Sequence, residues 1–384
     1  MKTLFWISTA GLAYTYLGYP ALVWLLARVR PKLRVRDEGR RSVSVVMAAY
    51  NEERRLPEKI AALLASEGAD RIEEILVGSD GSTDGTAAAV RGCGDARVRV
   101  IEFPARRGKP SVLNDLVPQC RADIVVFTDA RQAVHPQALG RLLSAFADPA
   151  VGVVSGELVF PSDPLATAAA SGLNAYWEYE KFIRKNEAAF SSVPGATGAL
   201  YAMRRELFRP VPPQVLLDDV AIPMGAVAQG AMCVFEEDAI VYDAPSGTPE
   251  QESVRKRRTI AGNVQLVVLQ PWLLIPWRNP IWFQFVSHKM LRLLSPFFLL
   301  AAWFCNVMLH GAAVYKVTLA AQACFYLAAV VGWLAQAAGI RAGLVGMAMM
   351  FVSLNVTTLA AWGDALRGRF RVTWAREGGA TSEH

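Results

Sequence analysis

The sequence predicts an α/β domain on a mostly parallel sheet, flanked by α-helical transmembrane segments. Short β-branched runs alternate with polar loops and helical patterns in the middle of the chain, which is typical of a doubly wound parallel sheet. Long apolar stretches lie near both ends. The chain is 53% hydrophobic and 19% charged, whereas soluble domains carry about 25% charged residues. We therefore expect a sheet domain that is attached to a membrane.

Four apolar stretches are each long enough to cross a hydrocarbon core, which takes about 20 helical residues. They are Leu4–Ala27, Leu291–Leu309, Val317–Ala338 and Ala342–Trp362. We interpret the first as a retained anchor rather than a signal peptide. Its charged leader consists of Lys2 alone, and no small-residue cleavage site precedes the basic run that follows. An integral membrane protein is therefore predicted.

Positive charge is concentrated just after the first apolar stretch. The net charge is +6, and the basic cluster consists of Arg28, Arg30, Lys32, Arg34, Arg36, Arg40 and Arg41. By the positive-inside rule, this cluster places the central domain on the cytoplasmic side of the cell inner membrane. The cluster either sets the topology alone or also contacts anionic lipid headgroups. Nucleic-acid binding is not expected, because no DNA- or RNA-binding motif accompanies the charge.

A second basic group lies after the last apolar stretch, at Arg367, Arg369, Arg371 and Arg376. It also favours the cytoplasm. One span before the domain and three spans after it would instead place this group on the opposite side. Either one C-terminal stretch is re-entrant or interfacial, or the group departs from the rule.

These patterns divide the chain into four regions. They are an anchor with a basic linker (1–40), a cytoplasmic sheet domain (41–262), interfacial helices rich in Trp, Pro and Phe (263–290), and C-terminal transmembrane helices with a basic tail (291–384). The five cysteines have no paired spacing, which fits a reduced cytoplasmic domain. The four histidines show no metal-ligand spacing.

Polar residues follow three predicted strands at the point where each strand ends. They are Tyr50 and Glu52 after residues 42–49, Asp80 at the end of residues 74–80, and Asp129 after residues 124–128. Each of these groups alone could be an ordinary turn or helix cap. Together they indicate a ligand site, because ligands bind outside the carboxyl ends of parallel strands.

Six motifs occur in order between about residues 45 and 260. They are AAYNEE (48–53), DGSTDGT (80–86), RRGKPSVLND (106–115), VVFTDA (125–130), PGATGALYAMRRELF (194–208) and LLDDVAIPM (216–224). With this set, the chain resembles the inverting glycosyltransferase family 2, which includes cellulose, chitin and hyaluronan synthases. The resemblance implies a GT-A type domain that binds a nucleotide sugar and a divalent metal, Mg²⁺ or Mn²⁺. The membrane segments match the membrane-bound branch of the family.

The resemblance also assigns the donor site. It implies that Ala49, Tyr50 and Glu52 line the nucleoside pocket and that Asp80 accepts a hydrogen bond from the base. Lys109 would approach the diphosphate or the donor sugar. This assignment agrees with the chemistry, since a diphosphate needs a closely held cation.

Asp129 resembles the first acid of the family's DxD metal motif, and Arg131 stands where the second acid would be. A hard cation can use one carboxylate together with phosphate oxygens and water. We therefore expect Asp129 to be a metal ligand. The alternative is that Arg131 itself supplies part of the charge neutralisation.

Asp219, in the pair Asp218-Asp219, resembles the family's general base. Inversion by in-line displacement requires a carboxylate that takes the proton of the acceptor hydroxyl. The same position would also suit a helix cap followed by a first-turn acid.

The loop with Gly195, Thr197 and Gly198 resembles the acceptor-side loop of the family, and its small residues would let a sugar or lipid head approach the backbone. The alternative there is a simple turn between strands. Residues 251–263 partly match a QxxRW-type motif of processive synthases. In this match Arg258 would face the diphosphate, and Thr259 replaces the tryptophan of the acceptor platform. The alternative is that this cationic run faces lipid headgroups.

Three functions follow as hypotheses. The first is sugar transfer from a nucleotide-sugar donor, with a UDP-sugar expected, to a polysaccharide or lipid-linked acceptor at the cytoplasmic membrane face. The second is a single addition onto polyprenyl phosphate or a glycolipid. The third is a transporter with a nucleotide-binding domain. This third hypothesis is weaker, because the membrane part is small and lacks the mid-span charges of ion pathways.

Overall fold

A computed structural model describes residues 1–32, 41–160, 168–243, 249–338, 340 and 343–368, and it describes the backbone alone for 168–175 and 249–256. Six of the basic residues singled out above lie outside the described residues. They are Arg34, Arg36, Arg40, Arg369, Arg371 and Arg376.

An eight-stranded sheet forms the centre of the domain, with strand order β3-β2-β1-β4-β7-β6-β8-β5. The strands are β1 Val43–Ala49, β2 Ile72–Asp80, β3 Val98–Phe103, β4 Ile124–Thr128, β5 Ala133–Val134, β6 Val151–Val159, β7 Leu200–Arg204 and β8 Met232–Tyr242. The pairs β1–β2, β2–β3, β1–β4 and β6–β8 are parallel. The sheet is therefore of the mostly parallel GT-A type that was predicted.

Two strands of this mostly parallel sheet run antiparallel to their neighbours. They are the short β5, which pairs with β8, and β7, which pairs with both β4 and β6 and places Phe127 opposite Tyr201. For β7, the physical reason is where the chain re-enters the sheet. Residues 195–198 already lie at the carboxyl edge of β4, so the strand that starts there must run away from that edge.

The helices of the described residues are α1 Lys2–Val29 (with a π-helical turn at Tyr14–Gly18), α2 Arg55–Leu64, α3 Thr86–Arg91, α4 Lys109–Leu116, α5 Ala138–Ser144, α6 Ala168–Phe190, α7 Asp218–Ala228, α8 Pro249–Leu269, α9 Trp282–Met308, α10 Ala313–Ala337 and α11 Gly343–Leu366. The boundary expected at residue 262 falls inside α8. The segment expected to be interfacial, 263–290, comprises the end of α8, a 3₁₀ turn at Pro271–Leu274 and the start of α9.

Both faces of the sheet are covered, because β1 and β4 are apolar on both sides, as buried parallel strands are. On one face, α2 and α5 bury Ile60 and Leu142 against Val45. On the other face, α4, α7 and α8 pack around Val46 and Phe127. The carboxyl ends of β1, β2 and β4 are left open between these layers.

Four helices are long and apolar enough to cross a membrane, namely α1, α9, α10 and α11. They match the four apolar stretches predicted from the sequence. The first packs against α6, where Tyr19 and Val23 contact Ile183. At its end, the Lys32 amide donates to the Ala189 carbonyl over 2.9 Å. The membrane helices and the sheet domain are thus in direct contact through α6.

A buried polar cluster joins α6 to α1 and α9. His288 is 2% exposed and contacts two carboxylates, with Nδ1 2.9 Å from Glu187 Oε1 and Nε2 3.0 Å from Glu180 Oε2. The Tyr19 hydroxyl also donates to Glu187, and Arg292 donates to Glu180. Because each carboxylate of the cluster has partners from a membrane helix, α6 is held in a defined position against the membrane segments.

Candidate active site

The loops after β1 and β2 are joined by side-chain caps. Asn51 has a positive φ of 56°, and its side-chain oxygen accepts a hydrogen bond from the Thr83 amide over 2.8 Å. Glu53 accepts a hydrogen bond from the Gly85 amide over 2.8 Å. Asparagine tolerates this left-handed conformation better than most residues do. The two loops therefore form one rigid wall at the carboxyl edge of the sheet.

The residues predicted to contact the nucleoside lie on this wall. Ala49 is buried at the end of β1, and Tyr50 follows it with the guanidinium of Arg106 stacked 3.8 Å from its ring centroid. The Glu52 carboxylate lies 3.3 Å from Arg55. An aromatic ring and a guanidinium plane at the mouth of the crevice could stack on a base.

Asp80 organises the loop before α4. Its two carboxylate oxygens accept hydrogen bonds from the Arg107 and Gly108 amides, both over 2.8 Å, and the residue is only 4% exposed. Gly81 is required beside it, since a Cβ there would lie 2.7 Å from the Arg106 amide nitrogen. Asp80 thus positions the start of α4. Its predicted contact with the base stays a prediction. The contact is compatible with the two hydrogen bonds, because the carboxylate keeps further lone pairs that can accept one from a base.

Lys109 lies at the first turn of α4 and points into the crevice. Its ammonium is 2.8 Å from Asp129 Oδ1 and 3.3 Å from Asp218 Oδ2. Burial lowers the pKa of Lys109, but the charges of Asp129 and Asp218 outweigh this effect and raise the pKa above its usual range. The ammonium therefore stays charged at any physiological pH.

Arg131, which stands at the second acid's place in the DxD motif, pairs with a buried acid. Its guanidinium donates to the buried Asp243 over 2.5 Å, and Gln132 donates to the same carboxylate over 3.2 Å. Lys59 donates to the Gln132 carbonyl over 2.8 Å. Burial lowers the pKa of Lys59 to about 8, although the Asp129 charge opposes this shift. The bond of Arg131 to Asp243 and the bond of Lys59 to Gln132 both hold the loop after β4.

Asp219 lies in the first turn of α7, where it is partly buried among charged groups. Burial and the neighbouring Asp218 raise its pKa to about 6, against the opposing charges of Lys109 and Lys289. Its backbone carbonyl accepts a hydrogen bond from the Ala196 amide over 2.7 Å. This bond connects the base to the loop that was predicted to bind the acceptor.

That loop lies directly against Asp219. A Cβ at Gly198 would be 2.9 Å from Asp219 Oδ2, and Gly195 has a φ of +115°, which favours glycine. Thr197 is less free than expected. Its hydroxyl accepts a hydrogen bond from Arg184 over 2.8 Å, and its amide donates to Ser155 Oγ over 2.8 Å. The absence of side chains at Gly195 and Gly198 lets this loop pack closely against α7 and the carboxylate of Asp219.

Arg258 faces the acidic side of the crevice from α8. Burial lowers its pKa, and the charges of Asp218, Asp219 and Asp129 raise it, so these three acids lie close enough to interact with it. Among the predicted residues, the crevice therefore brings together Lys109, Asp129, Asp219 and Arg258.

The comparisons with known proteins agree with this geometry. Residues 44–211 match the model of the family Glycosyl transferase family 2. The central domain is a glycosyl transferase family 2 domain.

Two curated relatives match part of the chain. "Succinoglycan biosynthesis protein ExoO" of Rhizobium meliloti (strain 1021) is 33% identical over 101 residues, covering 26% of this chain and 28% of that protein. "Dolichyl-phosphate beta-glucosyltransferase" of Drosophila melanogaster is 35% identical over 104 residues, covering 24% of this chain and 32% of that protein. The chain thus spans less than a third of the length of these relatives.

A solved structure matches almost the whole chain. It is a mannosyltransferase from Pyrobaculum calidifontis, PcManGT, in complex with GDP-Man and Mn²⁺. The TM-score is 0.70 at 22% identity, over 95% of this chain and 99% of that one. The likeness is one of fold, and it includes the membrane helices as well as the sheet domain.

Asp129 and Asp218 fit a divalent cation that takes its other ligands from a bound diphosphate and from water. Asp129 follows the end of β4 and Asp218 begins α7, and both carboxylates lie close to Lys109. Asp218 Oδ2 is buried and makes no hydrogen bond within the described residues. In that part of the chain, no group of three or more His, Cys, Asp or Glu side chains converges. Two carboxylates with phosphate oxygens and water would complete a six-coordinate shell.

Sequence reasoning missed several residues of the crevice. Arg184 bridges Thr197 and Ser155 from α6, far from the matching motifs. Tyr201 stacks on Phe127 with ring centroids 4.4 Å apart, and its pKa is raised well above its usual value by burial and by the nearby acids. Arg184 lies on α6 among the charged residues Glu180, Lys181 and Glu187, so no local pattern distinguishes it. Nothing local in the sequence distinguishes Tyr201 from a core residue.

Proposed function

We propose that the protein is a membrane-bound inverting glycosyltransferase that transfers a sugar from a nucleotide-sugar donor to a polysaccharide or lipid-linked acceptor at the cytoplasmic membrane face. One observation carries the proposal. Asp219, a partly buried carboxylate with a pKa raised to about 6, lies against the glycine loop and near the cation–carboxylate group of Lys109 and Asp129. A base and a phosphate-binding cation therefore lie on two sides of one crevice.

The donor side of the mechanism depends on positive charge. Lys109 and Arg258 face the same acids and would contact the diphosphate, whose negative charge grows as the sugar–phosphate bond breaks. A Mg²⁺ or Mn²⁺ held by Asp129 and Asp218 would supply Lewis-acid stabilisation of the leaving diphosphate. Arg106 and Tyr50 at the crevice mouth would hold the nucleoside.

The acceptor side depends on Asp219. At neutral pH the carboxylate is mostly ionised, and its raised pKa makes it a stronger base than an exposed aspartate. It would accept the proton of the acceptor hydroxyl while the oxygen attacks the anomeric carbon from the face opposite the diphosphate. A side chain at position 198 would press on the carboxylate, since a Cβ there would lie 2.9 Å from Asp219 Oδ2.

The membrane helices support an acceptor that is a lipid or that leaves along the bilayer. Lys289, at the start of the membrane-spanning α9, is close enough to act on the charge of Asp219. The basic end of α1 carries Arg28 and Arg30, and the neighbouring Lys32 is hydrogen-bonded to α6. This arrangement favours a cytoplasmic catalytic domain.

A second candidate is a single addition onto polyprenyl phosphate or a glycolipid. Thr259 replaces the tryptophan of the processive motif, and one partial relative is named a dolichyl-phosphate glucosyltransferase. The length of the product, measured on the same reaction, separates the two candidates.

The test uses the full chain in lipid nanodiscs with radiolabelled UDP-glucose or GDP-mannose, Mn²⁺, and either polyprenyl phosphate or membrane lipid extract as acceptor. We expect labelled product that disappears with EDTA. Asp219→Asn should bind donor yet form no product, while the exposed-site control Asp70→Asn should match the wild type. Absence of both transfer and donor hydrolysis for every common nucleotide sugar would refute the proposal.

A further inference from the structure

A cavity of about 280 Å³ lies between the end of β6 and α6. Its volume is near the lower end of the range of about 300–1,000 Å³ that is typical of small-molecule sites. Six residues carry the argument that follows: Glu157, Phe160, Trp177, Lys181, Arg184 and Phe235. The cavity is distinct from the donor crevice, since the nucleotide-binding loops contribute nothing to its lining.

Two polar atoms of the cavity wall lack partners. Glu157 is 8% exposed, and one of its oxygens lies 2.9 Å from Lys181 Nζ. The other oxygen, Oε2, is buried and makes no hydrogen bond to any described residue, and the same holds for the indole Nε1 of Trp177. Buried polar atoms without partners are uncommon in native proteins and often indicate a missing ligand. One atom needs a donor and the other an acceptor, and a hydroxyl group can serve as either.

The apolar part of the wall is aromatic. The rings of Phe160 and Trp177 lie 5.5 Å apart at an interplanar angle of 45°. Phe235 lies under the guanidinium of Arg184, whose carbon is 4.5 Å from the ring centroid. Aromatic faces next to a carboxylate suit a sugar ring, because its C–H faces pack on aromatic rings and its hydroxyls donate to carboxylates.

The charges of the cavity argue against a phosphate group. Its two cations are already engaged, since Lys181 pairs with Glu157, and Arg184 donates to Thr197 and Ser155. Glu178 and Glu180 add further negative charge to the lining. A phosphate would need cations with donors to spare, so a neutral ligand fits the cavity better.

The cavity adjoins the loop that packs against the proposed base. Arg184 lines the cavity and donates to Thr197 over 2.8 Å. The next residue, Gly198, would place a Cβ 2.9 Å from Asp219 Oδ2. A ligand in the cavity is therefore separated from Asp219 by one guanidinium and one turn of the glycine loop.

We infer that this cavity is an acceptor subsite that holds a neutral sugar ring between Trp177 and Phe235, with a hydroxyl on Glu157. The inference rests on the proposed function and adds to it the class of acceptor, a glycan or glycolipid rather than a bare lipid phosphate.

The test measures binding without catalysis. Saturation-transfer difference NMR is recorded on the full chain in phosphatidylcholine nanodiscs, which avoids sugar-based detergents, with cellobiose, maltose and mannobiose as probes. We expect signals from at least one disaccharide in the wild type. Trp177→Ala and Glu157→Gln should each weaken its binding about tenfold, the effect of losing about 1.4 kcal/mol at a central contact. Trp277→Ala, an 83% exposed tryptophan outside the cavity, is the matched control and should bind normally.

Trp177→Phe guards against a folding defect, since it keeps an aromatic face and should retain most of the binding. The inference is overturned if the wild type transfers sugar to polyprenyl phosphate but gives no disaccharide signal, or if Trp177→Ala binds as well as the wild type. If the disaccharide binds at the cavity and no donor is ever hydrolysed or transferred, the proposed function fails while the saccharide site stands.

Discussion

The ammonium of Lys109 lies 2.8 Å from the carboxylate of Asp129, at the carboxyl edge of the sheet. It also lies 3.3 Å from Asp218 Oδ2. One cation therefore holds two acids from different elements close together. Its charge offsets the repulsion between the two carboxylates at this edge of the sheet.

Replacing Lys109 by methionine should destabilise the fold. The change leaves Asp129 and Asp218 facing each other without a counterion, and breaking a buried pair in this way costs about 3–5 kcal/mol. Thermal unfolding of the variant should show a clear loss of stability, with part of it restored by Mn²⁺. Lys185→Met is the control. Its pair with Glu237 is exposed, and such pairs contribute about 0–1 kcal/mol. An unchanged melting temperature for Lys109→Met would contradict the assigned charge balance.

Asp219→Asn should lower kcat by about 10²–10⁴-fold, because the amide cannot accept the proton of the acceptor hydroxyl. Donor affinity should change little, since the donor contacts are assigned to Lys109 and Arg258. Steady-state kinetics with a titration of donor separates the two effects. A loss confined to KM for the donor would argue that Asp219 binds the donor instead.

The raised pKa of Asp219 predicts a pH dependence with a definite sign. The base is active when ionised, so kcat should rise with pH through about 6 and then level off. The same shift acts on stability in the opposite direction. An acid whose folded pKa exceeds its unfolded value of about 3.9 releases its proton earlier in the unfolded chain, so stability falls as pH rises from about 4 to 6.

Kinetic profiles from pH 5 to 8 at saturating donor check the first part, and thermal unfolding of wild type and Asp219→Asn from pH 4 to 7 checks the second. Asp219→Asn should gain stability relative to the wild type at pH 7. A variant that is less stable at pH 7 would mean that the ionised carboxylate has stabilising partners.

Gly198→Ala should impair turnover while preserving the fold. The new Cβ would lie 2.9 Å from Asp219 Oδ2, so either the base or the loop must shift. Misplacing a catalytic group by about 1 Å can cost about 10²-fold in rate. The control is Gly225→Ala on α7, where a Cβ meets no atom within 4 Å. Equal kcat values for both variants would show that the space beside Gly198 is not used.

We expect residues 364–366 to lie on the same side of the membrane as the catalytic domain, although α11 is long enough to cross. Asp364 forms a two-point ion pair with Arg257 of α8, at 2.7 and 2.8 Å. Trp362 donates to the Leu293 carbonyl, which follows the polar start of α9, over 2.9 Å. In the expected topology, α9 leads away from the domain side of the membrane and α10 returns to it. The contacts of Asp364 and Trp362 therefore indicate that α11 lies along the membrane face nearest the domain and does not cross. This placement would remove the conflict between the basic tail and the positive-inside rule.

Cysteine labelling tests this topology. In a chain whose five native cysteines are replaced, Gly368→Cys and Gly311→Cys are exposed to a membrane-impermeant maleimide in intact cells. A Cβ meets no atom within 4 Å at either position. Gly311→Cys, between α9 and α10, should react, and Gly368→Cys should react only after permeabilisation. Labelling of Gly368→Cys in intact cells would place α11 across the membrane.

Much of the fold and part of the site follow from local patterns. The apolar runs at 43–49 and 124–128, and the acids that end or follow them, are visible because strands buried on both faces must be apolar and ligand-binding side chains gather at their ends. The four apolar helices are visible because the bilayer sets their length. The motifs around Lys109 and Asp219 carried the family resemblance for the same reason, since they are contiguous in the sequence.

Other features were decided only by tertiary contacts. The reversal of β7 depends on where the glycine loop meets the sheet, and the partners of Arg184 are Thr197 and Ser155, brought from separate strands. The raised pKa of Asp219 comes from burial and from Asp218, Lys109 and Lys289 together. The sequence by itself determined which segments are strands, spans and motif loops, because those depend on neighbouring residues. Only the tertiary structure decided how charges from distant segments are paired and buried, because Coulomb energies and desolvation depend on distances that the chain order does not contain.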